Sequence, residues 1–167
     1  MKRLSQADAP RAAGSPRPYQ QDLLTRVAEA IAGATGDRFF DALTDCLATA
    51  LGADCCFVAE TVAGTRSRLR TVAVNVGGQV RPNFDYDGNE TPCGRVLSGG
   101  TQRVSRRFDS PFPVHTLLGD APIECYVGVP LHASDGRVSG LIAVMHGAPL
   151  ADTRTAARLL ELCAMRA

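Results

Sequence analysis

The sequence contains no long hydrophobic run and no excess of charge of either sign. Lys and Arg total 18 against 17 Asp and Glu, a formal net charge of +1, which predicts no general attraction to nucleic acid or to an anionic membrane. No stretch approaches the roughly 18 apolar residues of a transmembrane helix, and the first residues lack the apolar core of a secretory signal. A chain of 167 residues with these properties is expected to form one globular domain in the cytoplasm.

The cysteines and histidines also lack the spacing of a metal site. Zinc ligands cluster at short intervals, whereas the sequence has no Cys-x-x-Cys pair and its three histidines stand far apart. No metal is therefore expected. In a reducing compartment free cysteines are mostly small buried side chains, an interpretation we favour over the alternative of a disulfide framework. The six cysteines are Cys46, Cys55, Cys56, Cys93, Cys125 and Cys163.

The chain divides into a tail, a helix and a larger domain. Residues 1–18 are rich in proline and small residues, which predicts a disordered tail. Residues 19–36 predict an N-terminal helix, because apolar residues recur there at helical spacing before Gly33 and Gly36. Residues 37–167 are expected to form the main domain.

Helices are expected near both ends of the main domain. The first has Asp37 as its N-cap and ends at Gly52, since glycine commonly terminates helices in a left-handed conformation. Thr91 and Pro92 predict the start of a short internal helix. The last helix is expected to begin at Asp152 or Thr153, with an apolar stripe formed by Ala156, Leu159, Leu160, Cys163 and Ala164.

Between these helices the hydrophobic period is that of strands. Strands are predicted at residues 55–61, 69–76, 102–105, 125–131 and 138–146, with a further extended stretch at 79–86. In the second strand the side chains of Leu69, Thr71, Ala73 and Asn75 are expected to share one face. Asp135-Gly136 is a hairpin signal. The order of elements predicts an α+β fold, in which helices pack on a face of a mostly antiparallel sheet.

A set of segments resembles the GAF domains of bacterial signalling proteins. The resemblance covers roughly residues 37–167 and depends on the order and spacing of the segments together. It implies a central antiparallel sheet of about five or six strands, with the N- and C-terminal helices on one face and a small-molecule pocket on the other. The segments are Glu90–Leu97, Phe112-Pro113, Tyr126–Leu131, Asp135-Gly136, Ser139–Val144, Ala148–Leu150 and Leu159–Ala167.

The resemblance also implies where the pocket lies. Five of the nine aromatic residues fall between positions 84 and 126, a region that walls the pocket in the family, although core packing explains these aromatics equally well. Arginines at 95, 103, 106 and 107 would suit an anion, but a solvated surface is the usual explanation. The candidate pocket residues are Phe84, Tyr86, Cys93, Phe108, Phe112, His115, Leu118 and Tyr126.

Cys93 is the strongest candidate for a chemically reactive side chain. Cys93 is expected at the second position of a helix, where the positive end of the helix dipole lowers the pKa of a thiol. A thiol of lowered pKa would suit a nucleophile or a redox sensor. The alternative is a small side chain that packs the helix start, and we favour it. The family branch that reduces free methionine sulfoxide needs a second cysteine before the Val-Pro-Leu strand, and residues 114–124 contain none. No catalytic residue is therefore assigned, and the chain is not expected to be an enzyme.

No ligand or cofactor can be named from the resemblance. Bilin-binding members carry a Cys-His pair, and cyclic-nucleotide-binding members carry an Asn-Lys-Phe-Asp-Glu set; both are absent here. A haem would need an axial ligand, for which only His115 is suitable, and such a histidine is more often hydrogen-bonded within a loop. The cofactor stays unknown.

Three functions follow as hypotheses. The first is a sensory domain that binds a small molecule and relays its state through the terminal helices. The second is a structural module that forms a homodimer through those helices, with a vestigial pocket. The third and weakest is redox chemistry or sulfoxide reduction at Cys93. Because the last helix runs to Ala167 without a stop signal, we expect the chain to be part of a longer bacterial signalling protein.

Overall fold

The computed structural model describes residues 18–33, 36–65, 67–104, 123–150 and 152–165. Four helices and seven strands lie in these ranges, and most begin and end within a few residues of the predicted bounds. The helices are α1 (Pro18–Ala32), α2 (Asp37–Leu51), α3 (Pro92–Gly99) and α4 (Thr153–Ala164). The strands are β1 (Cys55–Thr61), β2 (Arg68–Val76), β3 (Gln79–Val80), β4 (Asp85–Asp87), β5 (Gln102–Val104), β6 (Cys125–His132) and β7 (Val138–His146).

The strands form one antiparallel sheet. Their order is β3-β2-β1-β7-β6-β5, and the short β4 pairs with β2 outside this path. The long strands β1 and β7 lie at the centre, where Gly140 packs so closely on the backbone of β1 that a Cβ atom would collide with the carbonyl oxygen of Ala59. The predicted α+β fold is therefore confirmed.

The prediction for the faces of β2 is wrong in one respect. A bulge lies in the β1–β2 pairing, where Val58 and Ala59 pair with Ala73 and Thr71 and the intervening Val72 has no opposite residue. An extra residue reverses the alternation of side chains beyond it. As a result, Leu69 and Thr71 lie on one face of the sheet, whereas Ala73 and Asn75 lie on the other.

Helices α1, α2 and α4 cover one face of the sheet, which we call the helix face. The branched aliphatic side chains of the sheet that are at most 1% exposed on this face are Val58, Val127, Val129, Ile142 and Val144. Apolar stripes of the three helices pack on them, namely Leu23 and Val27 of α1, Leu43 and Leu47 of α2, and Leu159, Leu160 and Cys163 of α4. The terminal helices thus share one face, as expected.

Helix α3 covers the opposite face, which we call the α3 face. Its core contains Phe57, Tyr86 and Tyr126 together with Cys93, Val96 and Leu141. All of these side chains are at most 5% exposed. Because neighbouring residues of a strand point to opposite faces, Leu141 and Ile142 of β7 belong to the two different cores.

The helix ends follow the sequence signals with one exception. Gly52 ends α2 in the left-handed conformation, Thr91 caps α3, and Asp152 caps α4 by accepting hydrogen bonds from the amides of Arg154 and Thr155. Asp37 is not the N-cap of α2 as predicted. The helix begins at this residue, and the cap position is held by Gly36 with φ 62°, a conformation that favours glycine.

Several expectations lie outside the described residues. The tail before residue 18 is one of them, and the segment 105–122 is another. That segment contains two of the four clustered arginines and four of the eight candidate pocket residues. Within the described part of the chain, no helix is both long and apolar enough to span a bilayer.

Candidate functional site

The start of α3 is held against the loop that precedes it. The hydroxyl of Thr91 donates to the carbonyl of Gly88 at 2.6 Å and accepts a bond from the amide of Gly94 at 3.2 Å. A Cβ atom on Gly94 would collide with the carbonyl oxygen of Gly88, so only glycine permits this approach. Glu90 within the loop has a positive φ of 58°, which is uncommon outside glycine. These contacts fix the position of Cys93, the second residue of the helix.

Cys93 lies at the centre of a buried polar cluster. Its thiol is 0% exposed and accepts a hydrogen bond of 3.3 Å from the hydroxyl of Tyr126 on β6. The hydroxyl of Tyr86 on β4 also interacts with this thiol. Gly128, two residues beyond Tyr126 on the same strand, leaves room for the tyrosine ring, because a Cβ atom there would collide with the ring and its hydroxyl. The cluster therefore joins β4, α3 and β6.

The electrostatics of the cluster oppose a reactive thiol. Burial raises the pKa of Cys93 to about 11, although hydrogen bonds from Tyr126, Tyr86 and Thr91 act in the opposite direction. Burial also raises the pKa of both tyrosine hydroxyls. The net shift of the pKa of Cys93 is therefore upward, since desolvation outweighs the helix dipole. This agrees with the favoured interpretation of Cys93 as a small side chain that packs the helix start, and not with the alternative of a thiol of low pKa. At neutral pH the cluster presents two phenolic hydroxyls and a thiol, all uncharged.

Four of the eight candidate pocket residues lie in the described part of the chain, and the structure brings them together. Tyr86, Cys93 and Tyr126 form the cluster, and the ring of Phe84 lies 5.7 Å from that of Tyr86 between centroids. The other four, Phe108, Phe112, His115 and Leu118, lie outside the described residues. Of the clustered arginines, Arg95 and Arg103 are exposed, whereas Arg106 and Arg107 are not described.

A hydrogen bond connects the end of α3 to α4 on the other side of the sheet. Gly99 and Gly100 end α3, and the hydroxyl of the next residue, Thr101, donates to Oε1 of Glu161 at 2.9 Å. The contact passes around β5, the edge strand. It spans 60 residues of sequence, and no local motif could have predicted it.

A groove of about 740 Å³ lies beside α4, away from the Cys93 cluster. It runs between the exposed side of α4 and the end of β6. The four candidate pocket residues that the structure describes, Phe84, Tyr86, Cys93 and Tyr126, do not contribute to its lining. Its lining is Thr101, Val129, Pro130, His132, Arg158, Glu161, Leu162, Ala164 and Met165.

Sequence reasoning also missed a contact at the other end of the sheet. Nδ1 of His146, the last residue of β7, lies 2.6 Å from Oδ2 of Asp54, and the same oxygen accepts from the amide of Gly147 at 2.8 Å. The carbonyl of Asp54 accepts from the amide of Gly77. Asp54 thus fastens the ends of β7 and β2 to the start of β1. Among the described residues, no three His, Cys, Asp or Glu side chains form a group suited to a metal ion.

The remaining cysteines are consistent with the expected packing role. All five belong to or pack against the two cores, and only Cys46 is more than marginally exposed. Burial raises the pKa of Cys55 to about 12 and also raises that of Cys56 well above its ordinary value. Every cysteine is free, as the interpretation without a disulfide framework requires.

Solved structures of low sequence identity share this fold. The GAF domain of an Acinetobacter phosphoenolpyruvate-protein phosphotransferase matches with a TM-score of 0.67 at 15% identity, covering 90% of this chain and 91% of that one. The free methionine-R-sulfoxide reductase of Neisseria meningitidis, solved with its substrate, matches with a TM-score of 0.64 at 18% identity, and the match covers 91% of this chain and 89% of the reductase. The phycocyanobilin-bound GAF domain of a cyanobacterial phytochrome matches with a TM-score of 0.63 at 12% identity, and the match covers 88% of this chain and 90% of that one.

The sequence itself matches a family model. No curated protein matches the chain, but the model described as "GAF domain" matches residues 33–167. This range includes the whole sheet, the Cys93 cluster and α4. Domains of this type are typically sensory and regulatory, and the reductase among the similar structures is an enzyme built on the same fold. The chain belongs to the GAF domain family.

Proposed function

We propose that this chain is a regulatory sensory domain without catalysis of its own. It binds a small molecule at the α3 face and relays the bound state to the terminal helices on the helix face. The observation that carries the proposal is the buried cluster of Tyr86, Cys93 and Tyr126. Buried hydroxyls in an apolar core are costly unless they are hydrogen-bonded, and such groups supply orientation and specificity in ligand pockets.

The chemistry of the cluster favours binding over catalysis. A thiol with a pKa of about 11 is almost entirely protonated at neutral pH, and the protonated form is a poor nucleophile. Cys125, the cysteine that follows Cys93 in the sequence, belongs to the helix-face core and so lies across the sheet from Cys93. Cys55 shares the α3-face core with Cys93, but burial raises the pKa of Cys55 to about 12, so this thiol is also almost entirely protonated. A thiol–disulfide cycle needs a thiolate that attacks a second sulfur.

The relay is supported by the contact between Thr101 and Glu161. Helix α3 carries Cys93 near its first residue and the Gly99-Gly100 joint at its end, so a displacement of this short helix would move Thr101. Glu161 then transfers the displacement to α4. A ligand produces such a shift only if it binds the two arrangements of α3 with different affinity.

The first experiment records native mass spectra and absorption spectra of the protein as purified. We expect a bound mass that denaturation releases, or a rise in melting temperature with one member of a small-molecule panel. Tyr126→Phe is expected to weaken that binding about tenfold, and Arg137→Gln, in the exposed turn between β6 and β7, is the control. Equal binding by both variants would place the ligand elsewhere, and the absence of any ligand would remove the proposal.

The relay has a separate readout. Hydrogen exchange of the α4 amides is expected to change when the ligand binds, and Thr101→Val, which removes the donor, is expected to reduce this change without altering the affinity. If α4 responds equally in both proteins, the relay does not pass through this bond.

A homodimerisation module is the second candidate function. Leu162 and Met165 of the last helix are 41% and 76% exposed, which is unusual for large apolar side chains close together on one helix face. A clean dimer with no bound mass would favour this function over the sensory one. A bound mass in a monomer would exclude it.

A further inference from the structure

The groove beside α4 has the size and the composition of a ligand pocket. Its volume of about 740 Å³ lies within the range of about 300–1,000 Å³ that is typical of small-molecule pockets. Such pockets are mostly apolar and contain a few polar groups that fix the orientation of the ligand. Here Val129, Leu162 and Met165 supply apolar surface, and Arg158 and Glu161 supply one charge of each sign. The groove borders the helix face and is therefore separate from the site on the α3 face.

The two charged side chains are placed for a ligand that carries both charges. Arg158 and Glu161 are three residues apart in α4, a spacing at which side chains are neighbours on one helix face. They do not pair with each other, because no ion pair among the described residues includes either of them. The carboxylate of Glu161 instead accepts a hydrogen bond of 2.9 Å from the hydroxyl of Thr101. A cation and an anion this close together complement the carboxylate and the ammonium group of one small zwitterion.

The open edge of β6 adds a backbone acceptor to the groove. In the described part of the chain, β5 pairs with β6 only as far as Gly128, so Pro130, which lines the groove, has no β5 residue opposite it. A proline in a sheet turns the side that lacks an N–H group toward an open edge, and the N–H and C=O groups of one strand residue point to the same side. The carbonyl of Pro130 is therefore directed to the open edge, where it can accept a bond from an ammonium group.

We propose that the groove beside α4 binds a small zwitterion with an apolar side chain, of the class of the aliphatic α-amino acids. The carboxylate of this ligand binds Arg158, and its ammonium group binds Glu161 and the carbonyl of Pro130. Its side chain packs on Leu162 and Met165, whose exposed fractions of 41% and 76% leave apolar surface to be covered. The inference does not depend on ligand binding at the α3 face.

Ligands of a different charge suit the groove less well. Glu161 would repel an anion that has no ammonium group, and Arg158 would repel a cation that has no carboxylate. An uncharged molecule would desolvate both side chains without pairing them, which is costly. A second copy of the chain is a competing occupant, because a dimer that covered Leu162 and Met165 would exclude the amino acid.

Binding in the groove acts on the contact between α3 and α4. Both partners of that contact, Thr101 and Glu161, line the groove, so the ammonium group competes with the Thr101 hydroxyl for the carboxylate. The amino acid is therefore expected to weaken the contact, and to bind more tightly when the competing hydroxyl is absent. The effect on signal relay rests on the proposed function, whereas the binding itself does not.

A titration with L-leucine, followed by two-dimensional proton–nitrogen NMR, locates the site. We expect the amide signals of Val129, Leu131 and residues 158–165 to shift, and those of Cys93 and Tyr126 to stay unchanged. Sedimentation velocity of the same sample reports whether a second copy covers the groove.

Four variants test the assigned contacts. Arg158→Gln and Glu161→Gln are each expected to weaken leucine binding about tenfold, because each removes a charge-assisted hydrogen bond. Thr101→Val is expected to strengthen it about threefold, since one bond to a neutral hydroxyl is worth less. Arg154→Gln, an exposed charge change on the same helix outside the groove, is the control. All four substitutions lie at the surface or at its margin, and their melting temperatures report whether the fold is retained.

Two leucine analogues separate the roles of the two charges. Leucinamide lacks the carboxylate and N-acetylleucine lacks the ammonium group, and each is expected to bind the wild-type chain about tenfold more weakly than leucine. In Arg158→Gln, leucinamide is expected to bind at least as well as leucine. In Glu161→Gln, the same is expected of N-acetylleucine. A merely structural role of the two side chains would not change these preferences.

Each outcome decides the proposal. The absence of shifts with leucine overturns it, and so do equal binding of leucine and both analogues and a dimer that leaves no leucine binding. Shifts confined to Cys93, Tyr126 and their neighbours would place the amino acid at the α3 face, which overturns the groove site and supports the sensory proposal. Conversely, shifts at α4 in a protein with no ligand at the α3 face would support the groove site alone.

Discussion

The two faces of the sheet are built from different kinds of side chain. The hydrophobic core of the helix face consists of aliphatic side chains, alanines and cysteines, and the buried polar side chain of Asn75 lies beside it, where it donates to Asp45 of α2. Among the side chains that the structure describes, the three aromatic ones that are at most 5% exposed all lie on the α3 face, namely Phe57, Tyr86 and Tyr126. Two of these carry hydroxyls, and both hydroxyls interact with Cys93.

This difference separates two physical roles. Burial of aliphatic surface is non-directional and depends on area, so the helix face tolerates small displacements of its helices as long as the area stays covered. Hydrogen bonds in a dry core depend on geometry, and each group left unpaired is costly. The helix face is therefore suited to holding the terminal helices. The α3 face is suited to responding when the hydrogen-bond partners of its buried groups change.

Two adjacent residues of β7 offer the strongest test of this comparison. Leu141 and Ile142 are both 0% exposed but point to opposite faces. Replacing either by alanine is expected to lower the free energy of unfolding by about 2–5 kcal/mol, measured by chemical denaturation. The native tyrosine fluorescence is expected to change in Leu141→Ala alone, since Tyr86 and Tyr126 lie on its face.

The chain is suited to this measurement because it has no tryptophan and only three tyrosines. A change of tyrosine emission in Ile142→Ala as large as that in Leu141→Ala would show that the two cores are not independent. Equal stability loss with separate optical responses would support the division into two faces.

The sequence predicts the elements well because their signals are local. Gly52, Thr91 and Asp152 end or begin helices by contacts with their own neighbours. The central strands β1 and β7 are visible in the sequence as short runs of apolar residues. The bulge at Val72 was not predictable in the same way. It depends on how β2 pairs with β1, and alternation read along one strand cannot reveal an extra residue without its partner.

The site was predictable in part for a related reason. Tyr86, Cys93 and Tyr126 were found through a family resemblance, and the structure brings them together. The sign of the pKa shift of Cys93 was not found, because a helix start is visible in sequence but the degree of burial is not. Contacts such as Thr101 with Glu161 join distant segments, and no spacing rule predicts them.

Tyr126→Phe tests whether the hydrogen bonds of the α3 face matter. The variant keeps the ring and removes the donor to Cys93, so the free energy of unfolding is expected to fall by about 1 kcal/mol, within the usual range of about 0.5–1.5 kcal/mol for such a bond. In a Cys93→Ala background the same replacement is expected to cost much less. The measurement is a double-mutant cycle by chemical denaturation.

A matched cycle on the other face serves as its control. Cys163 lies in the helix-face core, so Cys163→Ala and Tyr126→Phe are expected to be additive. Non-additivity in this control, or additivity in the cycle with Cys93, would contradict the assignment of the hydrogen bond.

The smallest effect concerns the helix caps on the two faces. Helix α3 is capped by the neutral, buried Thr91, and α4 by Asp152, whose pKa is held below the ordinary 3.8 mainly by its hydrogen bond with the Thr155 side chain. A lowered pKa in the folded state gives stability that is present above pH 3.8 and is lost as the pH falls through the folded value. The protection factors of the α4 amides, which compare the observed exchange with the intrinsic rate at the same pH, are therefore expected to fall in that acidic range, with little change in α3.

Asp152→Asn isolates the charge from the cap itself. Asparagine caps helices about as well as aspartate, because it keeps one oxygen for the amides of Arg154 and Thr155. The variant loses the carboxylate oxygen that accepts from the Thr155 hydroxyl and the charge–dipole interaction, the latter about 0.3–1 kcal/mol at neutral pH. In this variant the protection factors of the α4 amides are expected to lose their acid-dependent fall. Because Asp85 and Asp87 also have lowered pKa values, global stability falls in acid for both proteins, and only exchange resolved to α4 distinguishes them. An acid response of α4 that persists in Asp152→Asn would mean that the helix loosens together with the sheet rather than through its cap.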